Sequence, residues 1–100
     1  KKLSQFPEVQ RDLAVIIPAK TTWEELAKDV KKGVDNKIFA GCEVFDVYQG
    51  EHVQEGFKSV AFRIRMQDAN STMTDEMIET QMANVRAVLQ KNLPELSFRG

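Results

Sequence analysis

The sequence predicts an α+β sandwich in which two helices cover one face of a four-stranded antiparallel sheet. Three observations support this fold class. The apolar pattern runs strand, helix, strand, strand, helix, strand along the chain, and each helical segment begins at a threonine followed by acidic residues. The length, 100 residues, suits one domain that spans residues 1–100. A chain of this size buries only about 60–65% of its unfolded surface, so nearly every apolar residue is needed in the core.

Four segments have the composition of strands. The first, Leu13–Ile17, is rich in β-branched residues and stops at Pro18. The second runs from about Glu43 to Gln49 and the third from about Lys58 to Met66, joined by a glycine-bracketed link that is too long for a two-residue hairpin turn. A short last strand is predicted at Leu96–Arg99.

The first helix is predicted to begin at a capping box, in which Thr22 and Glu25 satisfy each other's free backbone amides. Gly33 lies where a C-terminal cap belongs. One apolar stripe follows at helical spacing: Trp23, Leu26, Ala27, Val30 and Val34. Because Trp23 is part of this stripe, we interpret it as a core anchor and not as a platform for a nucleobase.

The second helix is predicted to begin after Thr74, a suitable N-cap, with Asp75 and Glu76 at the positive end of its dipole. Pro94 fixes its end. Its buried face is predicted to consist of Ile78, Met82, Val85 and Leu89. The order βαββαβ is the ferredoxin-like plan, and right-handed crossovers place both helices on one sheet face. The other face stays open.

Alternation along the strands assigns each side chain to one face of the sheet. The side chains predicted to face the helices are Leu13, Val15, Ile17, Phe45, Val47, Val60, Phe62, Ile64, Met66, Leu96 and Phe98. Those predicted on the open face are Ala14, Ile16, Val44, Asp46, Tyr48, Ser59, Ala61, Arg63, Arg65, Ser97 and Arg99.

The predicted open face carries groups that suit single-stranded RNA. Tyr48 can stack on a base, and Asp46 and Ser59 can hydrogen-bond base edges or ribose hydroxyls. Arginines can contact phosphate or stack on a base plane. The pattern alone leaves another interpretation open, in which these side chains only keep an exposed antiparallel sheet hydrated.

Composition limits the possible functions. The 14 basic and 15 acidic side chains nearly cancel, which is mild evidence against an autonomous nucleic-acid binder. Cys42 is the one cysteine; it excludes an internal disulfide and fits a reducing, cytoplasmic setting as a structural thiol. The longest apolar run is far too short to span a bilayer, and no membrane partner is expected. The N-terminus lacks both a signal-peptide core and a methionine, which suggests a fragment of a longer chain.

No catalytic residues are predicted. The sequence has no glycine-rich phosphate loop and no nucleophile paired with a base. A metal site is not expected at Glu51, His52 and Glu55, because a single histidine in a mobile loop rarely binds a metal. An acylphosphatase would need a glycine-rich loop just after the first strand, and residues 18–22 contain no glycine.

Several segments together resemble one family. The motifs are Phe6-Pro7, Arg11 to Ala14, Phe45 to Gly50, Gly56 to Arg63, Gln67, and Thr72 to Glu76. In this order they resemble the ferredoxin-fold anticodon-binding domain at the C-terminal end of the phenylalanyl-tRNA synthetase β subunit, over essentially the whole chain.

The resemblance implies a non-catalytic module that binds the anticodon stem and loop of tRNA-Phe. The parent enzyme attaches phenylalanine to tRNA with ATP and Mg²⁺ at a centre in the α subunit, which the rest of the β chain contacts. This domain itself is expected to hold no cofactor and, when isolated, to be a monomer with weak affinity for tRNA. By motif position the anticodon contacts fall on Asp46, Tyr48, Ser59 and Arg99, and Arg63 is a further candidate tRNA contact on the same face.

Two alternatives remain open at this stage. One is a regulatory or protein-docking module of the same fold that binds no RNA. The other is a general RNA-recognition module, which is weakened because Phe62 is predicted to face the core and the third strand then shows no exposed aromatic ring. The sequence leaves open whether the parent is a bacterial heterotetramer or an organellar monomer, and which anticodon base meets which residue.

Overall fold

The computed structural model describes residues 7–68, 70 and 72–99. It contains six elements in the predicted βαββαβ order: β1 Val9–Pro18, α1 Trp23–Gly33, β2 Phe39–Tyr48, β3 Phe57–Met66, α2 Asp75–Asn92 and β4 Ser97–Arg99. The Phe6-Pro7 motif lies partly outside the described residues, and so does part of the turn before α2. The predicted fold class is confirmed.

The four strands form one antiparallel sheet in the order β2-β3-β1-β4. β1 begins at Val9, four residues before the predicted start, because β3 supplies a partner for each polar residue there, including Arg63 opposite Asp12. β2 likewise begins at Phe39 and pairs with the far end of β3. Strand pairing, and not local apolar content, therefore sets both boundaries.

The core lies between the sheet and the two helices. Its fully buried large side chains are Val15, Ile17, Leu26, Val30, Phe62, Ile64, Met66, Val85 and Leu89. The Trp23 ring packs against the Phe62 ring at a tilted angle, with 5.6 Å between centroids. The prediction that Trp23 is a core anchor is confirmed.

The helix starts follow the sequence signals. Thr22 Oγ1 accepts from the Glu25 amide, and Glu25 Oε1 accepts from the Thr22 amide, which completes the capping box. Thr74 Oγ1 caps α2 by accepting from the Met77 amide. Both predicted N-caps are confirmed.

The prediction that Gly33 is a C-terminal cap is wrong. Gly33 is the last residue of α1, and it lacks the positive φ of a left-handed helix cap, which Gly41 and Gly56 show elsewhere in the chain. A Cβ built on Gly33 would lie 2.6 Å from the Val85 Cα of α2. Gly33 therefore permits close helix–helix contact, which is a tertiary requirement.

The second strand departs from strict alternation. Val44 pairs with Phe62 and Asp46 pairs with Ala61, so Phe45 is the extra residue of a β-bulge. Val44 packs against the core, and the Phe45 side chain is 55% exposed. The predicted faces of Val44 and Phe45 are therefore wrong, because one inserted residue reverses the parity of the strand on one side of it.

Beyond the bulge, the predicted parity of β2 holds. Asp46 and Tyr48 pair with the open-face residues Ala61 and Ser59, and Val47 pairs with the buried Val60. Val47 nevertheless remains 56% exposed, so it has the right face without full burial. No helix among the described residues is both long and apolar enough to cross a membrane.

Candidate functional site

The open face of the sheet is organised as rows of side chains that lie across the strands. The strand register defines two neighbouring rows. The first row contains Tyr48, Ser59, Ile16 and Ser97. The second row contains Asp46, Ala61, Ala14 and Arg99, with the bulged Phe45 beside Asp46. Four of the five predicted site residues thus lie in adjacent rows, and Arg63 follows in the next.

Arg99 joins the outer strand to the middle of the sheet. Its side chain crosses β1, and its Nη1 donates to Ser59 Oγ at 3.0 Å. Ser59 is only 5% exposed, although it lies on the predicted open face. Because a hydroxyl that accepts from arginine still has its own proton, Ser59 can donate to a ligand that reaches it.

Tyr48 stands at the outer end of the first row with 39% of its surface exposed. Its hydroxyl lies over Gly50, where any Cβ would overlap the phenol. Gly50 therefore leaves room for this ring position. Sequence reasoning treated Gly50 only as part of the link between strands, since the contact depends on the rotamer of Tyr48.

Arg63 is held by two neighbours. It forms a two-pronged ion pair with Asp12, in which Nε lies 2.8 Å from Oδ1 and Nη2 lies 3.3 Å from Oδ2. Its guanidinium carbon lies 5.4 Å from the centroid of the Phe45 ring, a cation–π contact. Nη1 makes no hydrogen bond to another described residue, so it remains able to donate to a ligand.

Arg65 is also neutralised. Its Nη1 donates to Glu8 Oε2 at 3.1 Å, and its Nε lies 2.8 Å from Glu43 Oε2 in a second ion pair. By contrast, Arg99 has no ion-pair partner within the described residues, and Asp46 has none either. Of the three arginines on the open face of the sheet, Arg99 is therefore the one without an ion pair among the described residues.

A groove of about 210 Å³ crosses the second row next to this arginine. It is lined by Asp12, Leu13, Ala14, Phe45, Ala61, Arg86 and Arg99. Sequence reasoning missed Phe45 and Arg86 as surface residues of the site. The bulge that exposes Phe45 has no distinctive sequence. Arg86 belongs to the helix layer; the helical pattern predicts that its basic side chain is exposed, but not that it reaches this groove.

The ion pair with Arg63 lowers the pKa of Asp12, chiefly through the hydrogen bond. Since the folded-state pKa is below the unfolded value, the pair stabilises the fold fully above about pH 5 and less as the pH falls through the lowered pKa. We expect the free energy of unfolding of Asp12→Asn to depend less steeply on pH below about pH 4 than that of the wild type. Urea denaturation at several pH values measures this dependence. Arg63→Gln should flatten the profile in the same way, and profiles parallel to the wild type would contradict this pairing.

Cys42 is half-buried, and burial raises the pKa of its thiol, as does the neighbouring Glu43 carboxylate. This agrees with the prediction of a structural thiol, because a raised pKa disfavours the reactive thiolate. In the part of the chain that the structure describes, no three His, Cys, Asp or Glu side chains converge as a metal site.

Residues 4–96 match the family described as the ferredoxin-fold anticodon binding domain. The chain belongs to this family. The anticodon-binding domain therefore accounts for almost the whole chain, and the resemblance expected from the sequence motifs is confirmed.

Curated relatives of this anticodon-binding domain are phenylalanine–tRNA ligase beta subunits. The protein of Xanthomonas axonopodis pv. citri is 36% identical over 90 residues, which is 90% of this chain and 11% of that protein. That of Xylella fastidiosa is 38% identical over 89 residues, 89% of this chain and 11% of the relative. That of Neisseria meningitidis serogroup B is 43% identical over 77 residues, which is 77% of this chain and 10% of that protein. The chain spans about a tenth of the length of these relatives.

Proposed function

We propose that this domain binds the anticodon stem and loop of tRNA-Phe as part of a phenylalanine–tRNA ligase beta subunit. The observation that carries the proposal is the exposed Tyr48 ring beside the Ser59–Arg99 pair, on the face of the sheet opposite the two helices. An aromatic platform next to an unpaired arginine is the arrangement that single-stranded RNA recognition uses. The family membership and the names of the relatives support the same function.

Each site residue has a role in this proposal. Tyr48 stacks on an anticodon base, and Asp46, whose carboxylate has no ion pair within the described ranges, accepts from a base edge or a ribose hydroxyl. Ser59 donates its hydroxyl proton to the same nucleotide. Arg99 contacts phosphate or base through the N–H groups that do not bind Ser59.

Arg63 has a more restricted role than its position in the sequence suggests. Asp12 occupies Nε and Nη2, so only Nη1 is left to reach an RNA oxygen. The guanidinium also supports the Phe45 ring from one side. We therefore assign Arg63 a weaker direct contact than Arg99 and a larger share in fixing the shape of the surface.

The chemistry of the ligase is proposed to lie outside this domain. Phenylalanine activation with ATP and Mg²⁺ would occur in the partner α subunit, and this domain would only hold the distal end of the tRNA. The formal net charge of −1 fits such a supporting role. A near-neutral domain attracts the RNA phosphates only weakly, so it binds RNA weakly when it is alone.

Tyr48→Ala tests the stacking role. We expect the variant to lose about 1–3 kcal/mol of binding free energy, the value of one base–aromatic stack. The measurement is an NMR titration of the chain with a 17-nucleotide RNA hairpin of the tRNA-Phe anticodon arm, a method that quantifies weak binding. Tyr48→Phe is the matched control; it keeps the ring and should bind within a few-fold of the wild type.

An alanine variant that binds the hairpin as tightly as the wild type would remove Tyr48 from the interface. A wild-type chain that shows no shifts with the hairpin, yet self-associates in light scattering, would instead favour the docking-module alternative. The two results are distinct: the first excludes a role for Tyr48 in RNA binding, and the second excludes RNA binding by the domain.

A further inference from the structure

The groove beside the proposed anticodon site has a floor and two walls of unlike character. Its floor is made by Ala14 and Ala61, the smallest side chains of the second row, which leave a shallow slot across β1 and β3. Phe45 forms the wall on the β2 side, and Arg99 forms the wall on the β4 side. A flat ring system can therefore lie over the two alanines, with an aromatic ring on one side and a cation on the other.

The bulge in β2 creates the aromatic wall. In a regular strand with Asp46 on the open face, Phe45 would point to the helices, and Asp46 would be the β2 side chain in the second row. Instead the ring is 55% exposed, and Arg63 lies near it at 5.4 Å while Asp12 holds that guanidinium in place. A large exposed ring that is supported from behind is a stacking surface and not a packing defect.

The charges around the groove favour an anion at one end. Arg86 and Arg99 both line it, and neither has an ion-pair partner among the residues that the structure describes. The one carboxylate in the lining, Asp12, is already paired with Arg63. Leu13 of β1 and Arg86 of α2 both line the groove, so Arg86 reaches it from the helix layer.

The spacing links this groove to the Tyr48 site. The two rows are two residues apart along each strand, which corresponds to about 7 Å. One nucleotide of an extended single strand covers a comparable distance. Arg99 belongs to both places, because it binds Ser59 of the first row and lines the groove in the second.

From these observations we infer a second nucleotide subsite on this domain. The base next to the one stacked on Tyr48 lies on Ala14 and Ala61 against Phe45, and its phosphate lies between Arg86 and Arg99. The ligand class is single-stranded RNA, read here by stacking and charge and not by base identity. This inference rests on the proposed function and extends its footprint from one nucleotide to two.

Two variants of exposed residues test the subsite: Arg86→Gln for the phosphate and Phe45→Leu for the base. Both are titrated with the 17-nucleotide anticodon-arm hairpin by NMR at several salt concentrations. Arg86→Gln should lower the slope of log K against log salt by about 0.7, the value for one phosphate contact on a single strand. Phe45→Leu should weaken binding about five-fold or more without changing that slope.

The matched control is Lys28→Gln, which removes one positive charge from an exposed position of α1 on the other side of the sheet. It should leave both the affinity and the slope close to those of the wild type. Amide spectra of the free variants verify that each one is folded.

The outcomes separate this inference from the proposed function. If Tyr48→Ala weakens binding but Arg86→Gln and Phe45→Leu behave like Lys28→Gln, the second subsite is wrong and the anticodon site stands. If Tyr48→Ala, Arg86→Gln and Phe45→Leu all show the expected losses, the second subsite is supported. If the last two show them and Tyr48→Ala does not, a nucleotide binds the groove and the proposed Tyr48 stack is wrong. If the wild-type chain does not bind the hairpin at all, both proposals fail.

Discussion

Phe62→Ala is expected to lower the free energy of unfolding by about 3–5 kcal/mol. The ring is fully buried at the centre of β3, and it packs against Trp23 of α1. Its strand neighbours Leu13 and Val44 also belong to the core or pack against it. Alanine would therefore leave a cavity at the junction of the sheet and a helix, where rigid neighbours cannot collapse into the space.

Urea denaturation, monitored by circular dichroism, measures the loss of unfolding free energy. Domains of this size have only about 5–15 kcal/mol of total stability, so the variant should unfold at a much lower urea concentration than the wild type. Phe62→Leu is the matched control; it keeps most of the apolar volume and should lose clearly less. A loss below about 1 kcal/mol for alanine would mean that the site closes over the missing ring, in conflict with the packing described.

Gly33→Ala is expected to destabilise the fold by about 1–3 kcal/mol. The added Cβ would lie 2.6 Å from the Val85 Cα and 2.9 Å from the Val85 N, which are backbone atoms and cannot rotate away. The two helices would have to separate. A helix-propensity argument predicts the opposite sign, because replacing glycine by alanine in a helix normally stabilises it by about 0.5–1 kcal/mol.

Thermal and urea unfolding of Gly33→Ala distinguish these two expectations by sign. A loss of 1 kcal/mol corresponds to a fall in Tm of about 4–8 °C for a domain of this length. Lys32→Ala, at the adjacent exposed position of α1, is the control and should stay within about 0.5 kcal/mol of the wild type. A stabilised Gly33→Ala variant would show that the close contact with α2 is easily relieved.

The charge arrangement explains how a chain of nearly balanced composition can still present a basic site. Acidic residues neutralise Arg63 and Arg65 on the sheet, and Arg99 has no ion-pair partner among the described residues. Counting arginines on the predicted face would have overestimated its positive potential. The ion pairs are long-range in sequence, for example Asp12 with Arg63, so only the strand register reveals them.

Strand and helix identity were predictable because local patterns specify them. The alternation in β3 assigned Phe62 and Ile64 to the core, and their burial confirms this. It assigned Ser59 and Arg63 to the other face, where Ser59 accepts from Arg99 and is itself buried, and Arg63 pairs with Asp12. In β2 the same rule failed at Val44 and Phe45, since a bulge adds one residue without a distinctive sequence. The site prediction was affected less, because Asp46 and Tyr48 lie beyond the bulge.

The amino-acid sequence by itself determined the fold class, the two N-caps, the core face of three strands and the set of residues on which the RNA-binding proposal rests. These features follow from periodicity, capping chemistry and motif order, which are local. Only the tertiary structure decided that Gly33 is a helix contact, that Phe45 is exposed, that Arg63 is paired with Asp12 and that Arg86 reaches the same groove as Arg99. Each of these depends on where a distant part of the chain lies, and no local pattern encodes that position.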